Sequence, residues 1–332
     1  MLIPQIRCPK GADELKLLVH HHMSGLYMNE LRARFPKLKM VVLENYADLQ
    51  VLLKREQPDV VLSFRMGHLG PFPRATLIEW PSIKWLHATG AGIEHLPPWD
   101  PRKITITNSS GIHGSIMAEY AAWAVLNQTQ KMPLFAAQHA RREWRLYPVD
   151  PVAGKTVVIV GMGRVGGEIA RRLRAFGMRI VGVRNRSGLL PAADETYTTD
   201  RLPEALAKGD FVILVTPLTD RTRGLFDARM LGYCKHGAHF INLARGNIVN
   251  EEALRGAIKR GALSGATFDV FHTEPLPHDD PMWSADGVIV TPHVSGEVAN
   301  WQAVAARLFM ENLDRWLSGQ PLVNLCDPEL GY

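Results

Sequence analysis

The sequence predicts an α/β protein of two domains, a doubly wound nucleotide-binding domain inserted in a smaller α/β domain. Three observations predict it. The chain has 332 residues, a length that suits about two domains. Short apolar runs alternate with helically spaced ones along almost all of it. A third signal is the run Thr-Val-Val-Ile-Val at 156–160, which leads directly into Gly161-Met162-Gly163-Arg164-Val165-Gly166. There a glycine turn stands between an apolar strand and an amphipathic segment. The composition, 46% hydrophobic and 21% charged, is that of a globular chain rather than a disordered one.

In the first hundred residues, 39–43, 59–63 and 83–87 read as short strands with charged or proline borders, and 48–55 has helical spacing. Near residue 107 the character changes. Residues 108–115 are rich in turn formers, and Ser115 is expected to cap an alanine-rich helix running through Leu126. Six strands follow, at 157–160, 179–183, 211–216, 239–243, 265–269 and 288–291. A last helix over 299–317 carries Val304, Leu308, Leu313 and Trp316 at near-helical spacing. It is expected to leave the nucleotide-binding domain and pack back on the first one. The domains are therefore read as 1–106 with 299–332, and 107–298.

The net charge is +5, but no block of five or six like charges occurs. A nucleic-acid partner is not expected; the positive field suits an anionic substrate and cofactor. The three cysteines, Cys8, Cys234 and Cys326, lack metal-ligand spacing and indicate a reduced interior. No run has the length needed to cross a bilayer, and the N-terminus lacks a signal peptide's apolar stretch, so a soluble cytoplasmic protein is expected. His20-His21-His22 invites a metal reading. Adjacent side chains on a helix diverge, so a solvated helix end or loop is expected instead, and no metal.

The glycine turn has distinct tasks for its residues. Gly161 permits the tight turn, Gly163 lets a pyrophosphate approach the backbone, and Gly166 lets the helix pack on its strand. About 20 residues on, a site for NAD ordinarily ends its strand in Asp or Glu, to bind the ribose 2′-hydroxyl. This chain has Arg184-Asn185-Arg186-Ser187 there. Two guanidiniums and a hydroxyl suit a 2′-phosphate, so NADP(H) is the expected cofactor, with NAD(H) left open.

Three further segments end strands. They are Asn242-Leu-Ala-Arg245-Gly246, the run from Asp269 to Glu274, and Thr291-Pro292-His293. Open α/β sheets bind ligands at these ends. A guanidinium grips a carboxylate with two hydrogen bonds, and an imidazole beside a carboxylate exchanges a proton near neutral pH. With a nicotinamide, that set interconverts a 2-keto acid and a 2-hydroxy acid.

With Thr216-Pro217-Leu-Thr-Asp-Arg-Thr-Arg-Gly224 and the C-terminal run 311–324 added, the chain resembles the D-isomer-specific 2-hydroxyacid dehydrogenases over nearly its whole length. The resemblance implies a Rossmann-type cofactor domain inserted in a flavodoxin-like substrate domain, with the active cleft between them. It implies His293 as the acid–base group, Glu274 as its partner and Arg245 as the anchor of the substrate carboxylate. Asp269 is implied to hold the nicotinamide carboxamide, and Thr216 and Pro217 to line the cofactor cleft. The loop of Thr89, Gly90 and Ala91 is implied to offer amides to the substrate, and the helix after Ser115 to take part in a homodimer. Formate dehydrogenases carry glutamine where Glu274 stands, and phosphite dehydrogenases carry lysine where Thr89 stands. The long phosphoglycerate dehydrogenases have a further C-terminal domain that this chain is expected to lack. Glyoxylate or hydroxypyruvate is the leading substrate expectation, with a bulkier branched or aromatic keto acid as the alternative. A cofactor-sensing, co-repressor-like binding protein is the rival from another class. Trp301, Tyr27, Met28, Arg65 and Met66 stand as open candidates for the substrate side chain's surroundings.

Overall fold

The computed structural model describes all residues except 1–4, 9, 10, 12, 22, 23, 65–70, 186, 187 and 189. The chain divides into two compact units, Met1–Ile112 with Val298–Tyr332, and His113–Glu297. The strands are β1 Lys16–His20, β2 Lys39–Leu43, β3 Val60–Ser63, β4 Trp85–Ala88, β5 Thr105–Asn108, β6 Thr156–Val160, β7 Arg179–Arg184, β8 Glu195–Thr198, β9 Phe211–Leu214, β10 Ala238–Asn242, β11 Leu263–Phe268 and β12 Val288–Val290. The helices are α1 Met28–Arg34, α2 Leu49–Glu56, α3 Arg74–Ile78, α4 Gly114–Thr129, α5 Met132–Arg141, α6 Arg164–Ala175, α7 Leu202–Leu206, α8 Ala228–Leu231, α9 Glu251–Lys259 and α10 Trp301–Leu317.

In the first unit five parallel strands lie in the order β2-β1-β3-β4-β5, the flavodoxin-like arrangement. Its inner strands are buried on both faces, which is why they read as continuous apolar runs rather than alternating ones. The chain returns to this unit through α10. Ala306, Phe309, Met310, Leu313 and Trp316 bury themselves with Leu17, Val19, Val60 and Trp85, and the Trp85 and Trp316 rings are 5.3 Å apart. Val304, placed by its spacing on the packed side, is instead exposed.

The first unit departs from the sequence reading in several places. The boundary drawn at 106 would cut β5, whose residues pair with β4 throughout; the observed division falls after Ile112. The histidine run is not a solvated end. His20 closes β1, fully buried, with its Nδ1 2.9 Å from Ser63 Oγ, and burial drives its pKa down to about 4. His21 is stacked on Phe64, with Nδ1 2.9 Å from Tyr27 Oη. A strand between two neighbours can hold His20 neutral where a helix end would leave it wet. His22 lies outside the described residues. Tyr27 and Met28 are core residues, and Trp301 packs on the same core with its ring 5.8 Å from Phe64; Arg65 and Met66 lie outside the described residues. Thr89 donates both its amide and its hydroxyl to Ser63 O, so neither serves a carboxylate. Ser109 N donates to Gly90 O, and Asn108 Nδ2 to Ala91 O.

In the second unit seven parallel strands lie in the order β12-β11-β10-β9-β6-β7-β8. Counted from β6, that is the Rossmann order 3-2-1-4-5-6 with one strand added. The added edge strand is β12, and β8 was not anticipated because Glu-Thr-Tyr-Thr has no apolar run. Two apolar cores cover the faces of this sheet, one around Phe226, Phe240 and Phe268, the other around Ile159, Ile169 and Ala121. Helix α4 packs along α6. It begins at Gly114, so Ser115 lies inside it, and its hydroxyl takes a hydrogen bond from Arg172 rather than capping the helix. Among the described residues no helix is long and apolar enough to cross a membrane.

Candidate active site

The strand order reverses between β6 and β9, so the turn after β6 lies at the sheet's switch point. Gly161 has φ +111, and a side chain there would meet Val215 O and Thr216 N at 2.7 Å. The turn is thus pressed against the end of β9, and Thr216 flanks it. Gly166 lies as tightly, its absent Cβ 2.3 Å from Gly161 O. Gly163 is different: no heavy atom stands within 4 Å of its Cβ position. Two glycines fix the turn and the third leaves room above the first turn of α6, where unbonded amides favour an anion. The residues present fit a dinucleotide's pyrophosphate.

Next to this, β7 ends at Arg184, which donates toward Gly188 O at 3.5 Å. Asn185 Oδ1 accepts from Thr199 Oγ1 at 2.6 Å. Arg186 and Ser187 lie outside the described residues.

Arg245, Glu274 and His293 follow β10, β11 and β12. Asn242 turns back on its own loop, accepting from Ala244 N and donating to Arg245 O. This Asx turn carries Arg245 out of the sheet while Ala244 O accepts from its Nη1 at 2.8 Å. Gly246 then passes directly against the loop after β11, and a Cβ there would stand 1.9 Å from Phe271 C. That close approach brings the guanidinium beside the Glu274 loop. A Gly246→Ala variant is expected to lose about 1–3 kcal/mol of stability, read as a lower urea midpoint. Unchanged stability would mean that the two loops separate without cost.

Glu274 braces its own loop, accepting from Phe271 N through Oε1 at 2.9 Å. Its Oε2 is 2.8 Å from His293 Nδ1. A carboxylate at that distance places the proton on Nδ1 and leaves Nε2 as the nitrogen for an incoming oxygen. Burial resists the charge on Glu274, but the hydrogen bonds from His293 and Phe271 and the charge of Arg245 outweigh it, and the carboxyl titrates below its ordinary range. The hydrogen bond to Glu274 correspondingly holds His293 above the usual imidazole value, against desolvation and the like charge of Arg245. Both side chains remain partly exposed.

Asp269 lies beneath this site, fully buried. Its Oδ1 accepts from Thr291 Oγ1 at 2.6 Å and Val294 N at 2.8 Å, and its Oδ2 from Ser295 N at 2.8 Å. Three of its roughly four acceptor positions are therefore used inside the protein, which leaves a nicotinamide carboxamide at most one. This bracing of the His293 loop, and the part Thr291 plays in it, were not visible in the sequence.

Residues 122–295 match the NAD binding domain of the D-isomer specific 2-hydroxyacid dehydrogenases. A glyoxylate reductase of Korarchaeum cryptofilum is 32% identical over 239 residues, spanning 69% of this chain and 71% of its own. Among solved structures, a D-isomer specific 2-hydroxyacid dehydrogenase from Xanthobacter autotrophicus, in complex with NADPH, is similar with a TM-score of 0.82 and 29% identity over 95% of this chain and 99% of its own. An NADPH-dependent glyoxylate/hydroxypyruvate reductase from Sinorhizobium meliloti, in complex with NADP and sulfate, is similar with a TM-score of 0.82 and 25% identity over 96% of this chain and all of its own.

Proposed function

The chain belongs to the D-isomer specific 2-hydroxyacid dehydrogenase family and is an oxidoreductase, and on that premise we propose that it reduces glyoxylate or hydroxypyruvate to the 2-hydroxy acid with NADPH. The observation that carries the reading is the 2.8 Å contact of His293 Nδ1 with Glu274. It makes the imidazole an acid near neutral pH, and Arg245 is the neighbouring cation. Bound nicotinamide supplies the hydride. Arg245 takes the substrate carboxylate in a two-pronged grip. His293 delivers its proton from Nε2 to the carbonyl oxygen, and Glu274 stabilises the imidazolium until then.

NADPH over NADH is supported by the absence of a carboxylate at the end of β7 and by Arg184, Arg186 and Ser187 in that stretch. Two similar structures hold NADPH or NADP. The keto acid follows the names of the similar reductases. A homodimer is supported by exposed Trp123, Met132, Trp144 and Leu146 on and after α4 and α5; sedimentation at the mass of one chain would remove that part. The test of the whole reading is steady-state turnover of glyoxylate, hydroxypyruvate, pyruvate and phenylpyruvate with NADPH and NADH side by side. NADPH oxidation, fastest with the first two acids, is expected. No turnover of any keto acid would favour a cofactor-sensing protein instead.

The pH dependence follows from the sign of the His293 shift. Reduction needs the protonated ring, so kcat/KM is flat in acid and falls as pH rises through the His293 pKa, which lies above the ordinary value. Glu274→Gln removes the charge that raises it, so the fall is expected to move to lower pH by about one unit or more. An unmoved profile would show that Glu274 does not set it.

A further inference from the structure

Helix α4 meets the His293 loop through Tyr120. Tyr120 Oη and Thr291 Oγ1 are 2.5 Å apart, and Thr291 Oγ1 donates to Asp269 Oδ1 at 2.6 Å. Threonine has one hydroxyl proton and the carboxylate takes it, so Tyr120 is the donor in the first bond. Burial pushes the phenol up to about 12, which keeps that proton in place across the neutral range. Trp123, one turn along the helix, meets the phenol ring edge-on at 5.0 Å. The hydrogen bonds therefore run one way, phenol to hydroxyl to carboxylate, and the same carboxylate takes the amides of Val294 and Ser295.

The residue enclosed by these ties is His293. Its φ is +55, the left-handed region that a residue with a side chain leaves unless its surroundings hold it there. Thr291 N donates to Phe268 O at 2.9 Å, and His293 N to Thr291 O at 3.0 Å. Glu274 holds the ring itself through Nδ1, and Asp269 ties the loop at one point on the N-terminal side of His293 and two on the C-terminal side. Tyr120, which bonds the first of these tied residues, is 171 residues from Thr291 in the sequence.

We propose that Tyr120 is a positioning residue for His293, acting through Thr291 and Asp269 to hold the loop in the strained turn that aims Nε2. The inference rests on the reading of His293 as the acid–base group. Tyr120 touches neither substrate nor proton in transit; its effect is on where the imidazole stands. Small displacements of a reacting group are costly, about 10²-fold for 1 Å. Cutting one tie of several costs less.

Tyr120→Phe keeps the ring and removes the donor. Its kcat for glyoxylate reduction with NADPH is expected to fall about tenfold, the size of one net hydrogen bond, with the Kd for NADPH by fluorescence titration nearly unchanged. Thr291→Val is expected to lose at least as much, and Thr291→Ser, which keeps the hydroxyl, to recover most of the lost rate. The double variant Tyr120→Phe/Thr291→Val should be no slower than Thr291→Val alone, because both changes cut one chain. A Tyr120→Phe enzyme with the parent kcat, a loss that falls on NADPH affinity rather than kcat, or losses that multiply in the double variant would overturn the proposal. His293→Ala is run in parallel. Normal turnover of that variant overturns the reading of the site itself, whereas a dead His293→Ala beside an intact Tyr120→Phe overturns only the positioning role.

Discussion

His293→Ala is expected to lower kcat for keto-acid reduction by about 10²–10⁴-fold while leaving the Kd for NADPH nearly intact, the range found for positioned general acids. Its neighbours cannot replace it. Tyr120 holds its proton to about pH 12, Thr291 gives its own to Asp269, and Asp269 is closed off from solvent. Glu274 titrates below its ordinary range and stands behind the imidazole, bonded to Nδ1 rather than open at Nε2. In the proposed reading NADPH is held by other parts of the unit, the Gly163 turn and the end of β7, so fluorescence titration separates the two effects. Turnover within a few-fold of the parent would remove His293 from the chemistry.

The second large effect is expected at Arg245. A two-pronged charge-assisted grip is worth about 3–5 kcal/mol in two hydrogen bonds, so Arg245→Ala should lower kcat/KM for glyoxylate by about 10²–10³-fold or more. Part of the loss should appear in KM, because the carboxylate is held before as well as during hydride transfer. Arg245→Lys restores the charge but not the planar fork, and should recover a minority of the loss. The Asx turn at Asn242 is made by backbone and Asn242 atoms and stays in place, while the substitutions also remove the guanidinium's bond to Ala244 O. If Arg245→Ala kept most of its kcat/KM, the carboxylate would be anchored elsewhere.

The parts of this molecule that were legible in the sequence are those where sterics leave little choice of residue. Gly161 and Gly166 stand where a Cβ would strike backbone, and so the turn announces itself. Arg245, Glu274 and His293 could be singled out because each follows a short apolar strand, and strand ends are where such sheets bind ligands. Strands β5 and β8 were missed for the opposite reason. Thr-Ile-Thr-Asn and Glu-Thr-Tyr-Thr show no apolar run, and only pairing with β4 and β7 makes strands of them. The histidine run misled because polarity suggested solvent, whereas Ser63 and Tyr27 supply the partners that make burial tolerable. Tyr120 was invisible because helix periodicity says which face a residue takes, not which loop it meets across 171 residues.

In the proposed reaction the second unit carries hydride from a nicotinamide to C2 of a 2-keto acid, and His293 supplies the proton. The most direct measurement uses NADPH with deuterium at both C4 positions, glyoxylate or pyruvate as acceptor, and analysis of the 2-hydroxy acid formed. One deuterium at C2 of the product is expected, in D-lactate when pyruvate is the acceptor, with the labelled product forming about 10²–10⁴-fold more slowly when His293 is alanine. A product without deuterium, or no product from any keto acid, would contradict the proposed reaction.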